Sequence, residues 1–160
     1  RSPRGPGPGA SIAPAMRALE VGKAEILREG RSGLALLAFG SMVATARAAG
    51  EAFDATVVNM RFVKPLDEAL ISQIAARHSH IVTLEENAIA GGAGSAVAEF
   101  LGANGAAPML HIGIADQFIA HGSRDDCLRD AGLDSESVRA KIAAWWRPQA
   151  GRLVRTAAVP

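Results

Sequence analysis

Short apolar runs alternate with longer amphipathic stretches along most of the chain. The run at 34–38, LALLA, carries no polar residue, which is typical of a strand buried on both faces. Between the runs, apolar residues such as Leu70, Ile71 and Ile74 recur at helical spacing. The pattern predicts strands at 24–28, 34–38, 56–60, 81–84 and 109–114, and helices at 42–53, after Pro65 and Asp67, from Ser95, and twice after residue 123.

This alternation predicts the architecture. Strands separated by helices of ten or more residues favour parallel pairing through right-handed crossovers. Gly30 and Gly33 separate the first two runs and predict a hairpin, so the first strand would be antiparallel. The predicted fold is α/β: a three-layer α/β/α sandwich with a mostly parallel five-stranded sheet and one antiparallel edge strand. Residues 1–16, rich in Gly and Pro, predict a linker, residues 17–147 one domain, and residues 148–160 a loose tail.

The predicted helices have recognisable ends. Ser41 is placed to cap the first helix, and either Asp134 or Ser135 is placed to cap the last. Asn104 and Gly105 predict the end of the helix that begins at Ser95. The buried stripe predicted for the last helix is Val138, Ile142 and Trp145.

Composition excludes several classes of protein. The formal net charge is +1, aromatic residues make up 4% and Tyr is absent, so neither a basic stripe nor a base-stacking platform for nucleic acid is expected. No apolar run approaches the ~20 residues of a membrane helix. The single cysteine, Cys127, excludes an intrachain disulfide and lies in a polar helical stretch that does not favour a catalytic thiol. We therefore expect a cytoplasmic protein that binds neither nucleic acid nor membrane.

The segment VTLEENAIAGGAGSAVAEFL, residues 82–101, resembles a ligand-binding strand–turn–helix corner. Gly92 and Gly94 begin a dinucleotide fingerprint, but Val97 stands where its last glycine belongs, so we interpret Gly91, Gly92 and Gly94 as a tight packing corner. Exposed amides at the following helix are an alternative anion site. Glu85 and Glu86 are neighbours on a strand and point to opposite faces, which favours ion-pair roles over paired acid–base catalysis.

The four histidines do not form a recognisable site. His78 and His80 have no third ligand at metal-binding spacing, and we expect both in a solvated loop. His111 alternates with apolar residues and is expected to pack in a strand, while His121 follows a strand and is the best functional candidate of the four. No G-x-S-x-G, P-loop or H-E-x-x-H motif occurs. From the residues alone, we predict no catalytic residues and no metal site.

Several strings together resemble one family. They are VGKAEILREG (21–30), LALLAFGSMV (34–43), NMRFVKPLDEALI (59–71), IGIADQFIAHGS (112–123) and GLDSESVRAKIAAWW (132–146), together with the corner at 82–97. They are similar to the C-terminal domain of the 1-deoxy-D-xylulose-5-phosphate synthases, which are transketolase-like thiamine diphosphate enzymes. The resemblance covers residues 17–147 almost without a gap.

The resemblance implies a reaction that this chain does not perform alone. The family condenses pyruvate with glyceraldehyde 3-phosphate, with loss of CO2, for isoprenoid, thiamine and pyridoxal synthesis. Its thiamine diphosphate and Mg²⁺ belong to upstream diphosphate- and pyrimidine-binding domains, so no cofactor is expected on this chain alone. The resemblance further implies a homodimer, inter-domain or dimer contacts through Glu85 and Glu86, and a substrate-phosphate contact by Arg4 in RSPRG.

Two other functions stay open on the sequence. One is a docking module, equivalent to the C-terminal domain of a 2-oxoacid dehydrogenase β subunit, which has a similar sheet and glycine-rich corner. The other is a stand-alone scaffold remnant, suggested by the absence of a starting Met and of upstream domains. The KPLDEALI and DQFIAHGS strings favour the synthase over both.

Overall fold

The computed structural model describes residues 18–102 and 107–147. Strands and helices alternate as the hydrophobic pattern predicts. The strands are β1 (Glu25–Arg28), β2 (Leu34–Ala38), β3 (Thr56–Asn59), β4 (His80–Ala88) and β5 (Met109–Ile114), and the helices are α1 (Met42–Phe53), α2 (Glu68–Arg77), α3 (Ala93–Gly102), α4 (Arg124–Asp130) and α5 (Ser135–Trp145).

The five strands form one sheet in the order β1-β3-β2-β4-β5. β1 is antiparallel to β3, and every other neighbouring pair is parallel. The predicted mostly parallel sheet with one antiparallel edge strand is therefore confirmed. Helices cover both faces, which confirms the three-layer sandwich.

The predicted hairpin between β1 and β2 is wrong, because β1 pairs with β3, with Glu25 opposite Asn59. Both sides of β2 are already taken by β3 and β4. After β1 the chain passes closely over the start of β3: the Gly30 amide donates to Thr56 Oγ1 at 3.0 Å. A Cβ at Gly30 would lie 2.1 Å from the Asp54 carbonyl oxygen. Glycine at this position allows a close crossing of backbones, not a reversal between neighbouring strands.

β2 divides the hydrophobic core into two layers, since successive side chains of a strand point to opposite faces. Leu34 and Leu36 pack under α1 and α5, whereas Ala35 and Leu37 pack under α2 and α3. All four side chains are fully buried. Burial of each leucine stabilises the fold by about 1.5–3 kcal/mol, so the central strand anchors both layers.

The end of α5 differs from the predicted stripe. Val138 and Ile142 are buried as expected, but the third buried side chain is Trp146 and not Trp145. Trp146 lies just beyond the helix with extended backbone angles, φ −96° and ψ 128°. Because the chain leaves the helical path there, the side chain turns into the core and packs edge-on against Phe53 at 6.0 Å between ring centroids.

The helix starts are partly as predicted. Asp134 caps α5 by accepting hydrogen bonds from the amides of Glu136 and Ser137, which decides between the two predicted caps. Ser41 precedes α1 but makes no capping hydrogen bond, so its predicted capping role is wrong. α3 begins at Ala93, two residues before the predicted start. The stop predicted at 104–105 lies outside the described residues.

Candidate functional site

The carboxyl ends of the four parallel strands lie along one edge of the sheet, which we call the carboxyl edge. It is formed by residues 39–41 after β2, 60–67 after β3, 86–92 at the end of β4 and 115–124 after β5. From β2 the chain turns towards β3, and from β4 it turns the other way towards β5. Neighbouring strands whose connections diverge form a topological switch point, where open α/β sheets bind their ligands.

Three polar side chains meet at the switch point. Glu86 Oε2 accepts hydrogen bonds from Ser41 Oγ at 2.5 Å and from an Arg124 guanidinium nitrogen at 2.6 Å. This cluster joins the starts of α1 and α4 to the end of β4. Both charged side chains are substantially exposed, so the ion pair contributes less than about 1 kcal/mol to stability.

Glu85 points to the opposite side of β4, and its side chain is buried, with 4% of the residue exposed. Its Oε2 accepts from the Ala93 amide at 2.7 Å, and its Oε1 accepts from the Gly94 amide at 2.8 Å. The carboxylate therefore caps the N-terminus of α3 and lies at the positive end of the helix dipole. An external anion at these amides would have to displace Glu85, which weighs against the anion site considered from the sequence.

The glycines of the corner make room for this carboxylate. A Cβ at Gly92 would lie 2.4 Å from Glu85 Oε2 and 2.2 Å from the Ala88 carbonyl oxygen. Gly91 has a φ of +71°, which L side chains rarely adopt. A Cβ at Gly94 would lie 2.4 Å from Thr83 Oγ1.

A cavity of about 420 Å³ opens beside the polar cluster at the end of β5. Its inner wall is apolar and includes Ile114 and Leu133, while Glu86, Arg124 and His121 are among its polar lining groups. His121 is exposed at this cavity, so the structure places the histidine singled out by the sequence in a concave site. The lining residues are Glu86, Ile114, Ile119, Ala120, His121, Gly122, Arg124, Cys127, Leu128, Ala131 and Leu133.

The expectation that His78 lies in a solvated loop is wrong. It follows α2, and its ring lies 2.9 Å from the Ile74 carbonyl oxygen through Nδ1 and 2.8 Å from Thr56 Oγ1 through Nε2. A carbonyl oxygen can only accept, so Nδ1 carries the proton and Nε2 accepts from the hydroxyl group. Burial, opposed in part by the Ile74 hydrogen bond, lowers the pKa of His78 below its usual 6.5.

The other two histidines are also part of the packed structure. His80 begins β4 and lies edge-on against Trp145, with 5.2 Å between ring centroids, so its predicted solvated-loop position is wrong as well. His111 lies in β5, where its Nδ1 is 2.7 Å from Thr83 Oγ1. This half-buried position confirms the packing predicted for His111.

No metal centre forms within 18–102 and 107–147: these residues contain no group of three or more His, Cys, Asp or Glu side chains that could hold an ion. Cys127 is a half-buried free thiol, 3.6 Å from the Ala120 carbonyl oxygen. No helix in the same ranges is long and apolar enough to cross a membrane. Arg4, the predicted phosphate contact, lies outside the described residues.

The family model of the transketolase C-terminal domain matches residues 22–138. The chain belongs to this family. The match includes the whole sheet, the corner at 91–94 and the polar cluster.

Among curated transketolase-type relatives, the chain is 57% identical over 145 residues to the 1-deoxy-D-xylulose-5-phosphate synthase of Thioalkalivibrio sulfidiphilus. That alignment covers 90% of this chain and 22% of the relative. The synthase of Methylococcus capsulatus is 54% identical over 146 residues, which are 91% of this chain and 23% of that one. The chain thus spans less than a quarter of the length of these relatives. The synthase resemblance is confirmed, and the docking-module alternative is not favoured.

Solved transketolases have the same fold. A split-gene transketolase, described as an inactive β4 tetramer, is 33% identical with a TM-score of 0.74 and aligns with 83% of this chain and 45% of its own. A transketolase mutant from Pichia stipitis is 18% identical with a TM-score of 0.50, over 76% of this chain and 17% of its own, and shows the fold alone.

Sequence reasoning missed how the carboxyl edge is held together. It recognised both glutamates, but neither the Arg124 contact nor the capping of α3 by Glu85. These partners are 38 and 8 residues away from the glutamates they bind, and no local pattern links them. The signal in the sequence was the place of Glu85 at the end of a buried apolar run, because a buried charge needs hydrogen-bond partners.

Proposed function

We propose that this chain is the C-terminal domain of a 1-deoxy-D-xylulose-5-phosphate synthase. The observation that carries the proposal is the 57% identity over 145 residues to the Thioalkalivibrio sulfidiphilus synthase. The whole enzyme would be a cytoplasmic transferase that condenses pyruvate with glyceraldehyde 3-phosphate and releases CO2. Its product would supply isoprenoid, thiamine and pyridoxal synthesis.

Within that enzyme the chain acts as a structural and dimerisation domain and supplies no catalytic residue. Glu85 supports the structural part of this role, because its buried carboxylate is used inside the domain to cap α3. The inter-domain or dimer contact predicted for both glutamates is kept here for Glu86, the exposed member of the pair, while the buried Glu85 holds the corner behind it. Gly91, Gly92 and Gly94 serve as the packing corner that accommodates Glu85.

Thiamine diphosphate and Mg²⁺ do not fit the described part of this chain. A diphosphate needs free amide or cationic donors, and the amides at the start of α3 already donate to Glu85. The ion pair of Arg124 with Glu86 is a local contact without a second cation beside it in the cavity lining. We therefore assign cofactor chemistry in the whole enzyme to the upstream diphosphate- and pyrimidine-binding domains that the family resemblance implies. Arg4 is the residue of this chain that would contact substrate phosphate.

A domain exchange tests the proposal. The region matched in the Thioalkalivibrio sulfidiphilus synthase is replaced by residues 17–147 of this chain, and product formation is measured with pyruvate, glyceraldehyde 3-phosphate, thiamine diphosphate and Mg²⁺. We expect an active chimera, an inactive synthase when the region is deleted, and no product from the 160-residue chain alone. The matched control carries the equivalent domain of a 2-oxoacid dehydrogenase β subunit and is expected to be inactive.

Two outcomes would contradict the proposal. Product formation by the isolated chain would show that it contains catalytic residues. A chimera that folds and dimerises but stays inactive, while the chain binds the peripheral domain of an acyltransferase core, would instead support a docking module.

A further inference from the structure

The exposed apolar side chains are concentrated on one side of the molecule. Among the described residues, five large hydrophobic side chains are exposed, and Phe118 is the most prominent, with 105% relative exposure. Phe118 follows β5 and Val63 follows β3, so both belong to the carboxyl edge. Leu19 and Val21 precede β1, and only Ile26 lies within a strand.

The chain enters the sheet at the same edge. β1 is antiparallel to β3, so its first residue, Glu25, lies opposite Asn59 at the carboxyl end of β3. Just before it, the Ala24 amide donates to Asp67 Oδ2 at 3.0 Å. A Cβ at Gly22 would lie 2.7 Å from Pro65 Cγ, so the turn that carries Val21 touches the loop after β3. Residues 22–24 therefore lie along the loop that carries Val63.

The strand ends that lead to Val63 and Phe118 are close enough together for one partner surface to cover both loops. The ends of β3 and β5 are separated by β2 and β4, which is three strand spacings, or about 14 Å. The polar cluster of Ser41, Glu86 and Arg124 lies between them. Protein–protein interfaces combine aromatic and aliphatic anchors with hydrogen-bonded polar groups, and their usual size is about 800 Å² on each partner.

We propose that the carboxyl edge is the docking surface for the domain that precedes this chain in the longer synthase, with Phe118 and Val63 as its apolar anchors. The inference rests on the proposed function, and it names the surface and the partner. Two observations select this occupant. The first is that the relatives are more than four times as long as the aligned region, which is 22% of one synthase. The second is that the first strand of the sheet, β1, begins at the carboxyl edge.

Docking would also close the cavity beside Phe118. The loop 115–124 contributes both Phe118 and the lining residue Ile119, and the cavity borders Glu86 and Arg124. A partner surface placed over this loop covers the mouth of the cavity and shields the Glu86–Arg124 ion pair from water. The ion pair then becomes part of the interface, which agrees with the contact assigned to Glu86.

Hydrogen–deuterium exchange tests the proposal in two proteins: the 160-residue chain and the same chain joined to the upstream domains of the Thioalkalivibrio sulfidiphilus synthase. Amides covered by a stable interface exchange more slowly because opening of the interface must come first. We expect peptides covering 60–66 and 115–121 to exchange about tenfold more slowly in the joined protein. Peptides covering α5 should exchange equally in both proteins.

A substitution pair gives the matched control. Phe118→Asp in the joined protein should abolish the protection of 115–121, whereas Ala140→Asp, an exposed position on α5, should leave it unchanged. Both variants place the same charge on an exposed site, so a general effect on folding would appear in both. Circular dichroism of the 160-residue variants is the check that each still folds.

Each result counts for or against the docking surface. Equal exchange of 60–66 and 115–121 in both proteins would overturn it, as would protection confined to the helix layers. Protection that appears in the 160-residue chain as its concentration rises would assign the edge to a second copy and also overturn it. Synthase activity is measured separately: an active joined protein without protection refutes this inference alone, and a protected but inactive one refutes the proposed function alone.

Discussion

Replacement of Glu85 by Gln should destabilise the domain far more than the same change at Glu86. The two residues are adjacent on β4, and both substitutions remove one negative charge without changing side-chain volume. Glu85 is buried and accepts two amide hydrogen bonds from the start of α3, at 2.7 and 2.8 Å. Glu86 is exposed and accepts from Ser41 and Arg124.

The expected magnitude follows from those contacts. A hydrogen bond to a charged group contributes about 1.5–3 kcal/mol, roughly twice a neutral one. Gln at position 85 keeps one neutral bond and turns its NH2 group towards the other amide, leaving a buried donor unpaired at a further cost of about 1–3 kcal/mol. We therefore expect Glu85→Gln to lower the free energy of unfolding by about 3 kcal/mol. Glu86→Gln should lower it by less than about 1 kcal/mol.

Urea denaturation followed by far-UV circular dichroism measures both changes, provided that the slopes of the two transitions are equal. In thermal unfolding, about 3 kcal/mol corresponds to a decrease in Tm of roughly 6–12 °C for a domain of this size. If Glu85→Gln changed stability by less than about 0.5 kcal/mol, or by less than Glu86→Gln, the capping of α3 by Glu85 would be refuted.

Three further predictions concern the core and the corner. Gly94→Ala should lower the free energy of unfolding by about 1–3 kcal/mol because its Cβ would lie 2.4 Å from Thr83 Oγ1. Gly102→Ala is the matched control, since it lies in the same helix with nothing within 4 Å of the added Cβ, and it should raise the free energy of unfolding by up to about 1 kcal/mol. Urea denaturation of both variants measures the two changes, and equal changes would contradict the role of Gly94. Trp146→Ala should lower the free energy of unfolding by about 3–5 kcal/mol and Trp145→Ala by clearly less, since Trp146 is the buried one of the two. A larger decrease in Tm for Trp145→Ala would disprove the burial of Trp146. Because the pKa of His78 is lowered in the folded state, the unfolded chain binds more protons than the folded one below pH 6.5. The neutral, buried His78 therefore contributes stability that is fully present above pH 6.5 and is lost as the pH falls towards the folded-state pKa. His78→Gln should therefore weaken the decrease in stability between pH 7.5 and 5.5, measured by urea denaturation at each pH, and an unchanged decrease would exclude this role.

The parts of the fold that follow from local pattern could be predicted from the sequence. The uninterrupted run of β2 identified the strand with both faces buried, and the stripe of Ile71 and Ile74 identified the buried side of α2. In both cases the side-chain period alone decides which atoms leave water. The parallel sheet then followed from the alternation of elements, without knowledge of any particular contact.

Features that depend on distant partners could not be predicted in this way. Gly30 resembles a hairpin glycine, but the reason for it is a backbone crossing over Asp54, 24 positions along the chain. Trp145 fits the helical spacing of α5, yet the helix ends there and the buried ring belongs to the next residue. Periodicity assumes that an element continues, so it fails where a chain leaves its helix or crosses another segment.

The carboxyl edge combines these two kinds of information. Its position follows from topology, since the connections after β2 and β4 run in opposite directions there, and such points form ligand crevices in α/β enzymes. Its chemistry depends on tertiary partners: Glu85 satisfies the amides of α3, and Glu86 pairs with Arg124. Because Glu85, Glu86 and Arg124 are already paired, these charges have little to offer a reacting substrate, but the exposed apolar side chains of the edge still gain from burial. The same topology that supports catalysis in other α/β proteins therefore agrees here with the proposed role of holding a neighbouring domain.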